Sequence, residues 1–187
     1  MERVMIFIDG NNFYHTCRHY LQQNPKVDLE KLAHLLVNKR PGRHLMRTYF
    51  YTVDEPQQQG IITALKYKPR FLVVTGKLVK HPIHGHTLDP TNPSTYFAEE
   101  KGTDVNLTTD MIVGAYMNSY DTAVLLSADS DYKRVIEEVR KTGKIVEIAL
   151  PEGQRSELKK YADEVIEINE DDFRRCWIGP YVSQISP

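Results

Sequence analysis

The sequence predicts an α/β protein with a mostly parallel central sheet, and two observations lead to this prediction. Short apolar runs alternate with helical patterns along the chain, which is the arrangement expected of consecutive βαβ units. The chain has 187 residues, of which 41% are hydrophobic and 26% are charged, so it is long enough to bury a full core. One soluble globular domain is therefore expected.

The predicted elements follow one another in strand–helix order. The first strand is a short apolar run, the second is rich in Tyr, Phe and Thr, and the later ones are short β-branched or aliphatic runs. Strands are predicted at residues 4–8, 45–53, 70–75, 122–127, 144–150 and 164–168. Helices are predicted at residues 12–21, 28–38, 55–66, 103–118, 131–142 and 156–162. Asp28 is a plausible N-cap of the second helix, and Pro56 lies in the first turn of the third.

Two segments fall outside this alternation. Residues 76–98 contain three prolines and many turn-forming residues, so we predict a hairpin-like excursion there. The same segment carries His81, His84 and His86, whose spacing allows zinc binding, although the absence of a nearby cysteine favours an exposed or substrate-contacting loop. We predict a single domain over residues 1–168, followed by a C-terminal tail at residues 169–187.

Acidic side chains recur at the ends of predicted strands and the starts of predicted helices. They lie in three motifs, FIDGNN at residues 7–12, KGTDVNLTTD at 101–110 and LLSADSDY at 125–132. Asp9 follows the first strand, Asp129 and Asp131 follow the strand at 122–127, and Asp104 lies in the first turn of a helix. In an open parallel sheet these positions meet at the carboxyl edge of the strands. Carboxylates gathered at one site need a cation, so we predict Mg²⁺ or Mn²⁺ bound by these four acids.

Each acid also has a plain structural explanation. Asp104 complements a helix dipole, Asp9 forms an Asp-Gly turn, and Asp129 and Asp131 are possible caps of the helix that follows. Their joint occurrence at one predicted edge is what favours a metal site in which Asp9, Asp104 and Asp129 are ligands. Asp131 is then a further ligand or the group that orients the attacking water.

Several neighbours of these acids are candidates for substrate binding or for support of the acids. Asn11 and Asn12 either contact phosphate oxygens, support Asp9 or cap the first helix. Ser127 is placed to donate to a carboxylate, and Lys101 either meets a phosphate or is an ordinary surface lysine. Asp110 follows Asp104 by six residues and is expected on another face of the helix, in a supporting position.

Other classes of protein are not favoured. There is no GxxxxGK[ST] motif and no three-glycine Rossmann fingerprint, so neither a P-loop nor a dinucleotide site is expected. No apolar stretch approaches the length of a membrane span, and two cysteines indicate a reduced compartment, so we expect a cytoplasmic protein. The net charge of −1 provides no global basic field for nucleic acid, although acids gathered around a metal leave the rest of the surface mildly basic.

The three motifs, in this order and spacing, resemble those of the NYN domain family, a PIN-like group that includes LabA-type proteins. The resemblance extends from about Arg3 to Ile168 and implies a PIN-like three-layer α/β/α sandwich and a metal-dependent ribonuclease. It implies catalytic roles for Asp9, Asp104, Asp129 and Asp131, and it makes Asp110 a further recurrent acid. Two residues depart from the family motif, Ala128 in place of Gly and Tyr132 in place of Phe, and both leave the acids intact.

Three functional hypotheses follow. The first is a Mg²⁺- or Mn²⁺-dependent endoribonuclease acting on single-stranded or structured RNA, with no membrane partner. The second is a catalytically silent regulatory module that binds metal or RNA, and the third is a phosphatase or nuclease acting on DNA or small nucleotides. We expect Tyr116, Tyr120 and Trp177 to be exposed, which allows a homodimer.

Overall fold

A seven-stranded sheet forms the centre of the computed structural model, which describes residues 1–185. The strands are β1 (Glu2–Asp9), β2 (Arg43–Val53), β3 (Phe71–Pro82), β4 (Tyr96–Lys101), β5 (Thr122–Leu126), β6 (Ile145–Pro151) and β7 (Glu164–Ile168). Their spatial order is β4-β3-β2-β1-β5-β6-β7, and every neighbouring pair is parallel except β3 with β4. The predicted α/β class with a mostly parallel sheet is confirmed.

Helices cover both faces of the sheet. They are α1 (Gly10–Leu21), α2 (Leu29–Asn38), α3 (Gln59–Lys66), α4 (Thr103–Tyr116), α5 (Lys133–Lys141) and α6 (Glu170–Arg175). One hydrophobic core lies between the sheet and α1, α2, α3 and α6, and a second lies between the sheet and α4 and α5. The expected three-layer α/β/α arrangement is therefore correct. Within residues 1–185, no helix is both long and apolar enough to cross a membrane.

The sequence placed several helix ends incorrectly. The third helix was predicted from residue 55 but begins at Gln59, because residues 56–58 form a turn before it. The fourth ends at Tyr116 and not at residue 118, since Asn118 has a left-handed backbone with φ of 54°. The helix predicted from residue 131 starts with a 3₁₀ turn at Ser130–Tyr132. The helix predicted at 156–162 is only a 3₁₀ turn, Glu157–Lys160.

The excursion after the third strand is a real hairpin. β3 was expected to end at residue 75, but it continues to Pro82 because β4 supplies an antiparallel partner beyond Gly76. His81 lies in the hairpin, where its Nε2 is 2.9 Å from a carboxylate oxygen of Glu99 and its ring stacks on Phe97. His84 and His86 are exposed in the connecting loop.

The segment after residue 169 contributes to the fold. α6 begins with a capping box between Asn169 and Asp172, and Phe173 and Trp177 pack into the first core. Trp177 is only 8% exposed and Tyr120 is fully buried, so the expectation that both are surface aromatics was wrong. Tyr116 is 69% exposed, as expected. Residues 186–187 of the predicted tail lie outside the described residues.

A buried ion pair joins strands that are not neighbours in the sheet. The Arg43 guanidinium at the start of β2 donates to both carboxylate oxygens of Glu147 in β6, at 2.9 and 2.7 Å. The side chains are 2% and 0% exposed, and Glu2 and Arg40 also contact the pair. The pair spans β1 and β5, which lie between β2 and β6. Replacing only one of the two charged residues leaves the other as a buried charge with incomplete compensation.

We predict that Glu147→Leu lowers the free energy of unfolding by about 3 kcal/mol, because Arg43 loses its bidentate partner in a water-free position. The double variant with Arg43→Met is expected to lose less than Glu147→Leu alone, since neither charge remains. Equilibrium urea unfolding measures both. A double variant that loses the sum of the two single effects would show that the charges act independently.

Candidate metal and catalytic site

The predicted acids lie at the carboxyl edge of the central strands. Asp9 is the last residue of β1, and Asp129 follows β5, which pairs with β1 in parallel up to Ile8 and Leu126. Asp104 enters from the first turn of α4, which packs on the same face of the sheet as Tyr132. The convergence predicted from strand ends and helix starts is therefore present for Asp9 and Asp104.

The hydroxyl of Tyr132 joins these two acids. Its oxygen is 2.8 Å from Asp104 Oδ1 and 3.1 Å from Asp9 Oδ2, so it is within donating distance of both. One phenolic proton serves only one acceptor at a time. Two carboxylates thus compete for a single donor, and a cation or an added proton would relieve that competition.

Asp9 uses its two carboxylate oxygens differently. Oδ1 accepts from the backbone N–H of Asn12 at 3.1 Å and so caps α1, whereas Oδ2 faces the hydroxyls of Tyr132 and Ser127. The residue is only 5% exposed, and burial is the main cause that raises the pKa of its carboxyl group. The charge of Asp104 raises this pKa further, while the three hydrogen bonds oppose the shift. The structural role as a cap and the proposed functional role are compatible because they involve different oxygens.

Steric crowding explains why the FIDGNN motif has a glycine at residue 10. A Cβ on Gly10 would lie 2.6 Å from the carbonyl oxygen of Tyr51 and 2.8 Å from the ring of Phe50. A side chain at this position is therefore incompatible with the approach of α1 to β2. Gly10 allows the helix to start directly after Asp9, which keeps that carboxylate at the sheet edge.

The loop after β5 is bound to the same network. The Ser127 hydroxyl is 3.2 Å from Asp9 Oδ2 and accepts from the backbone N–H of Asp129 at 3.2 Å. The side-chain oxygen of Asn12 accepts from the backbone N–H of Ala128 at 2.8 Å. Asp129 itself accepts from the N–H of Asp131 and so caps the 3₁₀ turn. Ser127 therefore contacts a carboxylate as expected, whereas the Asn12 side chain holds the loop after β5 and only the backbone of Asn12 contacts Asp9.

Four other candidates lie further from the pair. Asp131 and Asn11 are exposed, and among residues 1–185 their side chains have no hydrogen-bond partner. Lys101 is exposed and forms an ion pair with Glu99 at 3.2 Å. Asp110 is half-buried on α4 and accepts from the Tyr51 hydroxyl at 3.0 Å, so it reaches the end of β2 beside Asp9 through that tyrosine.

Two tyrosines in this network were missed as functional candidates. Tyr132 was treated as a neutral replacement of Phe, yet its hydroxyl is the contact between Asp9 and Asp104. Tyr51 is fully buried and hydrogen-bonded to Asp110, and burial with the charge of Asp110 raises its pKa. The sequence did contain a signal for Tyr132, because a Tyr in place of the motif's Phe adds a hydroxyl group beside several acids.

The donor set suits a hard divalent ion that retains water ligands. In residues 1–185 no three His, Cys, Asp or Glu side chains are grouped as a complete protein cage would require. Mg²⁺ commonly uses one or two carboxylates and completes its shell with water and substrate phosphates. Asp9 and Asp104, which share the Tyr132 hydroxyl, are two carboxylates of this kind. The predicted grouping of all four acids is not found in residues 1–185, because Asp129 caps the 3₁₀ turn and Asp131 is exposed.

The motifs and this geometry match a known family. The pattern of the NYN domain matches residues 3–169, which include all of the predicted site residues. The chain belongs to the NYN domain family. This family is PIN-like and generally nuclease-like, which agrees with carboxylates gathered at the strand edge.

Two known proteins are similar to this chain. The low amplitude and bright protein LabA of Synechococcus elongatus is 30% identical over 173 residues, which cover 90% of this chain and 84% of LabA. A protein of unknown function from Vibrio parahaemolyticus has a crystal structure that matches with a TM-score of 0.64 and 21% identity. The match covers 91% of this chain and 94% of that chain, and it supports the fold alone.

We predict that Asp9→Asn makes this NYN domain more stable at pH 7 in EDTA. The folded-state pKa of Asp9 is raised above 3.8, so the fold favours the protonated carboxyl and loses stability as the pH rises through this range. Asn keeps the cap of α1 but cannot ionise. Thermal unfolding as a function of pH tests this, and the difference from wild type should shrink as the pH falls towards 3.8. A difference that does not change with pH would contradict the stated cause.

A second prediction concerns Tyr132→Phe, which restores the residue of the family motif. We expect the free energy of unfolding at pH 7 without metal to fall by about 1–3 kcal/mol, because buried Asp9 loses a donor. Chemical unfolding measures the effect, and Asp9→Asn provides the background for a double-mutant cycle. If Tyr132→Phe costs the same in both backgrounds, the hydroxyl does not act through the carboxylate.

Proposed function

We propose that this NYN protein is a metal-dependent endoribonuclease that hydrolyses RNA phosphodiester bonds. The observation that carries the proposal is the convergence of Asp9 and Asp104 on the single hydroxyl of Tyr132 at the carboxyl edge of the sheet. The NYN family is PIN-like, and PIN-like nucleases typically use divalent metals, which supports the same chemistry. RNA is the substrate that family membership favours.

Asp9 and Asp104 would hold Mg²⁺ or Mn²⁺, with Asp129 as a further ligand and Asp131 as a ligand or as the residue that orients the attacking water. When bound, such an ion lowers the pKa of a water molecule and neutralises charge on the leaving oxygen. The chain itself holds the carboxylate of Asp9 in place. Ser127 and Tyr132 contact one of its oxygens, and the backbone N–H of Asn12 contacts the other. No side-chain nucleophile is required in this scheme.

Further residues would meet the substrate outside this pair. Asn11 and Lys101 are exposed and available to phosphate oxygens, whereas Asp110 supports the site through Tyr51. A cytoplasmic location is part of the proposal and is supported by two buried free cysteines. A homodimer is also proposed, through the exposed Tyr116 at the end of α4 and the exposed Met117 directly after it.

We expect Asp104→Asn and Asp129→Asn to reduce cleavage of a single-stranded RNA about 100-fold or more, because a ligand charge is lost while the fold is kept. Asn at residue 129 still caps the 3₁₀ turn, so its structural role survives. Cleavage is followed on denaturing gels with Mn²⁺, with Mg²⁺ and with EDTA, and EDTA should stop it.

Asp121→Asn is the matched control. Asp121 is an acid at the opposite edge of the sheet, where it pairs with Arg3 at 2.7 Å. Its replacement should leave cleavage unchanged. Wild-type rates in both Asp104→Asn and Asp129→Asn, or cleavage that persists in EDTA, would overturn the proposal.

The second candidate function is a silent module that binds metal or RNA without turnover. The lack of three grouped ligands in residues 1–185 is the observation that favours it. Such a protein would be stabilised against heat by Mn²⁺ but would yield no product from a broad RNA panel. Including DNA and small phosphate esters in that panel tests the third hypothesis, a phosphatase or a nuclease of other substrates.

A further inference from the structure

The outer face of α1 carries polar and basic side chains in a segment that has no acids. No Asp or Glu occurs in residues 10–27, between Asp9 and Asp28. Asn11, His15, Arg18 and Gln22 recur at the spacing of one helical face, and all four are exposed. Among residues 1–185, Arg18 has no ion-pair partner, unlike most arginines of this chain. Positive charge on this face is therefore available to a ligand.

An open groove of about 640 Å³ lies along this face. We call it the α1 groove, and it is lined by His15, Arg18, His19, Gln22, Gln23 and Asn24. Tyr14 lies beside the groove and is 38% exposed, and its ring meets that of His15 edge-on at 5.5 Å. The groove thus combines one cation, two imidazole rings and three amides, and a partly exposed aromatic ring lies beside it.

The α1 groove is connected to the candidate site by the helix itself. Asp9 caps α1, and exposed Asn11 lies in its first turn. The helix then crosses from β2, where Gly10 touches Tyr51, to the segment after β6, where the Tyr20 hydroxyl is 3.4 Å from Glu152. From Asn11 to Gln22 the exposed face extends about 16 Å at 1.5 Å per residue.

We propose that the α1 groove binds the part of a single-stranded RNA that flanks the scissile bond. Arg18, His15 and His19 contact phosphates, and Tyr14 stacks on a base. This inference rests on the proposed function, because it assigns a path to the same substrate. It identifies the substrate class as single-stranded, since an accessible aromatic ring is of use only for an unpaired base.

The chemistry of the groove fits this ligand better than an acidic protein surface. Basic side chains alone would suit either partner, but the three amides of the groove add donors and acceptors, as base edges require. Gln22 and Gln23 each donate one hydrogen bond to a backbone carbonyl, and Asn24 Oδ1 accepts from the Tyr14 hydroxyl, so the remaining amide atoms are the ones available to a base. A position in the last turn of α1 also lets Arg18 and His19 complement the helix dipole. That role does not require the neighbouring aromatic ring and amides.

The test measures binding of a fluorescein-labelled single-stranded oligouridine by anisotropy in EDTA over a range of salt concentrations. We expect Arg18→Ala to weaken binding and to make the slope of log affinity against log salt shallower by about 0.7, the value for one phosphate contact on a single strand. Tyr14→Ala should weaken binding roughly fivefold or more, whereas Tyr14→Phe keeps the ring and should bind as the wild type does.

Lys66→Ala is the matched control, since Lys66 is an exposed helical cation on α3 and has no ion pair among residues 1–185. The inference is overturned if Arg18→Ala behaves like Lys66→Ala, if an RNA duplex binds as tightly as the single strand, or if wild-type protein binds neither. Binding in EDTA is independent of turnover. If binding depends on Arg18 but no RNA is cleaved in Mn²⁺, the proposed nuclease activity is wrong and the RNA-binding groove stands. If RNA is cleaved but binding does not depend on Arg18, the groove is wrong and the nuclease activity stands.

Discussion

The candidate site depends on one constraint: two carboxylates share a single hydroxyl donor. Asp9 is buried at the end of the central strand, and the one hydroxyl between it and Asp104 has a single proton to give. The fold tolerates this because Asp9 also caps α1 and accepts from Ser127. The local hydrogen bonds keep the acid in place, while its remaining electrostatic cost favours a proton or a cation.

Tyr132 gives this chain a feature that the family motif with Phe lacks. A phenylalanine would fill the same buried space but would leave Asp9 and Asp104 without a shared donor. The tyrosine therefore stabilises the pair when no cation is bound, and it also competes with a cation for the same oxygens. A motif comparison that scores Phe and Tyr as equivalent misses this effect, because the difference lies in one polar atom aimed at the acids.

The sequence predicted the parallel part of the sheet and the approach of Asp9 to Asp104, but not the edge strand β4. Strand ends and helix starts predicted the meeting of Asp9 with Asp104, because in a parallel sheet those positions share one edge. Positions that depend on tertiary partners were not predictable from local patterns. β3 extends because β4 pairs with it, and Trp177 is buried because α6 carries it onto the first core. The hydrogen bond between Asp110 and Tyr51 was likewise not predictable, because Tyr51 lies on a strand far away in sequence.

Net charge was the least informative number in this sequence. A value of −1 suggested no basic field, yet the charges are separated in space. Asp9 and Asp104 approach each other at the sheet edge, and residues 10–27 contain only basic or neutral side chains. A metal at the edge would neutralise the acids, and the exposed face of α1 would then be the positive surface next to it. The same helix that Asp9 caps presents Arg18 to solvent, so in the proposed scheme a single strand–helix unit would supply both the anionic site for a cation and the basic surface for a phosphate chain.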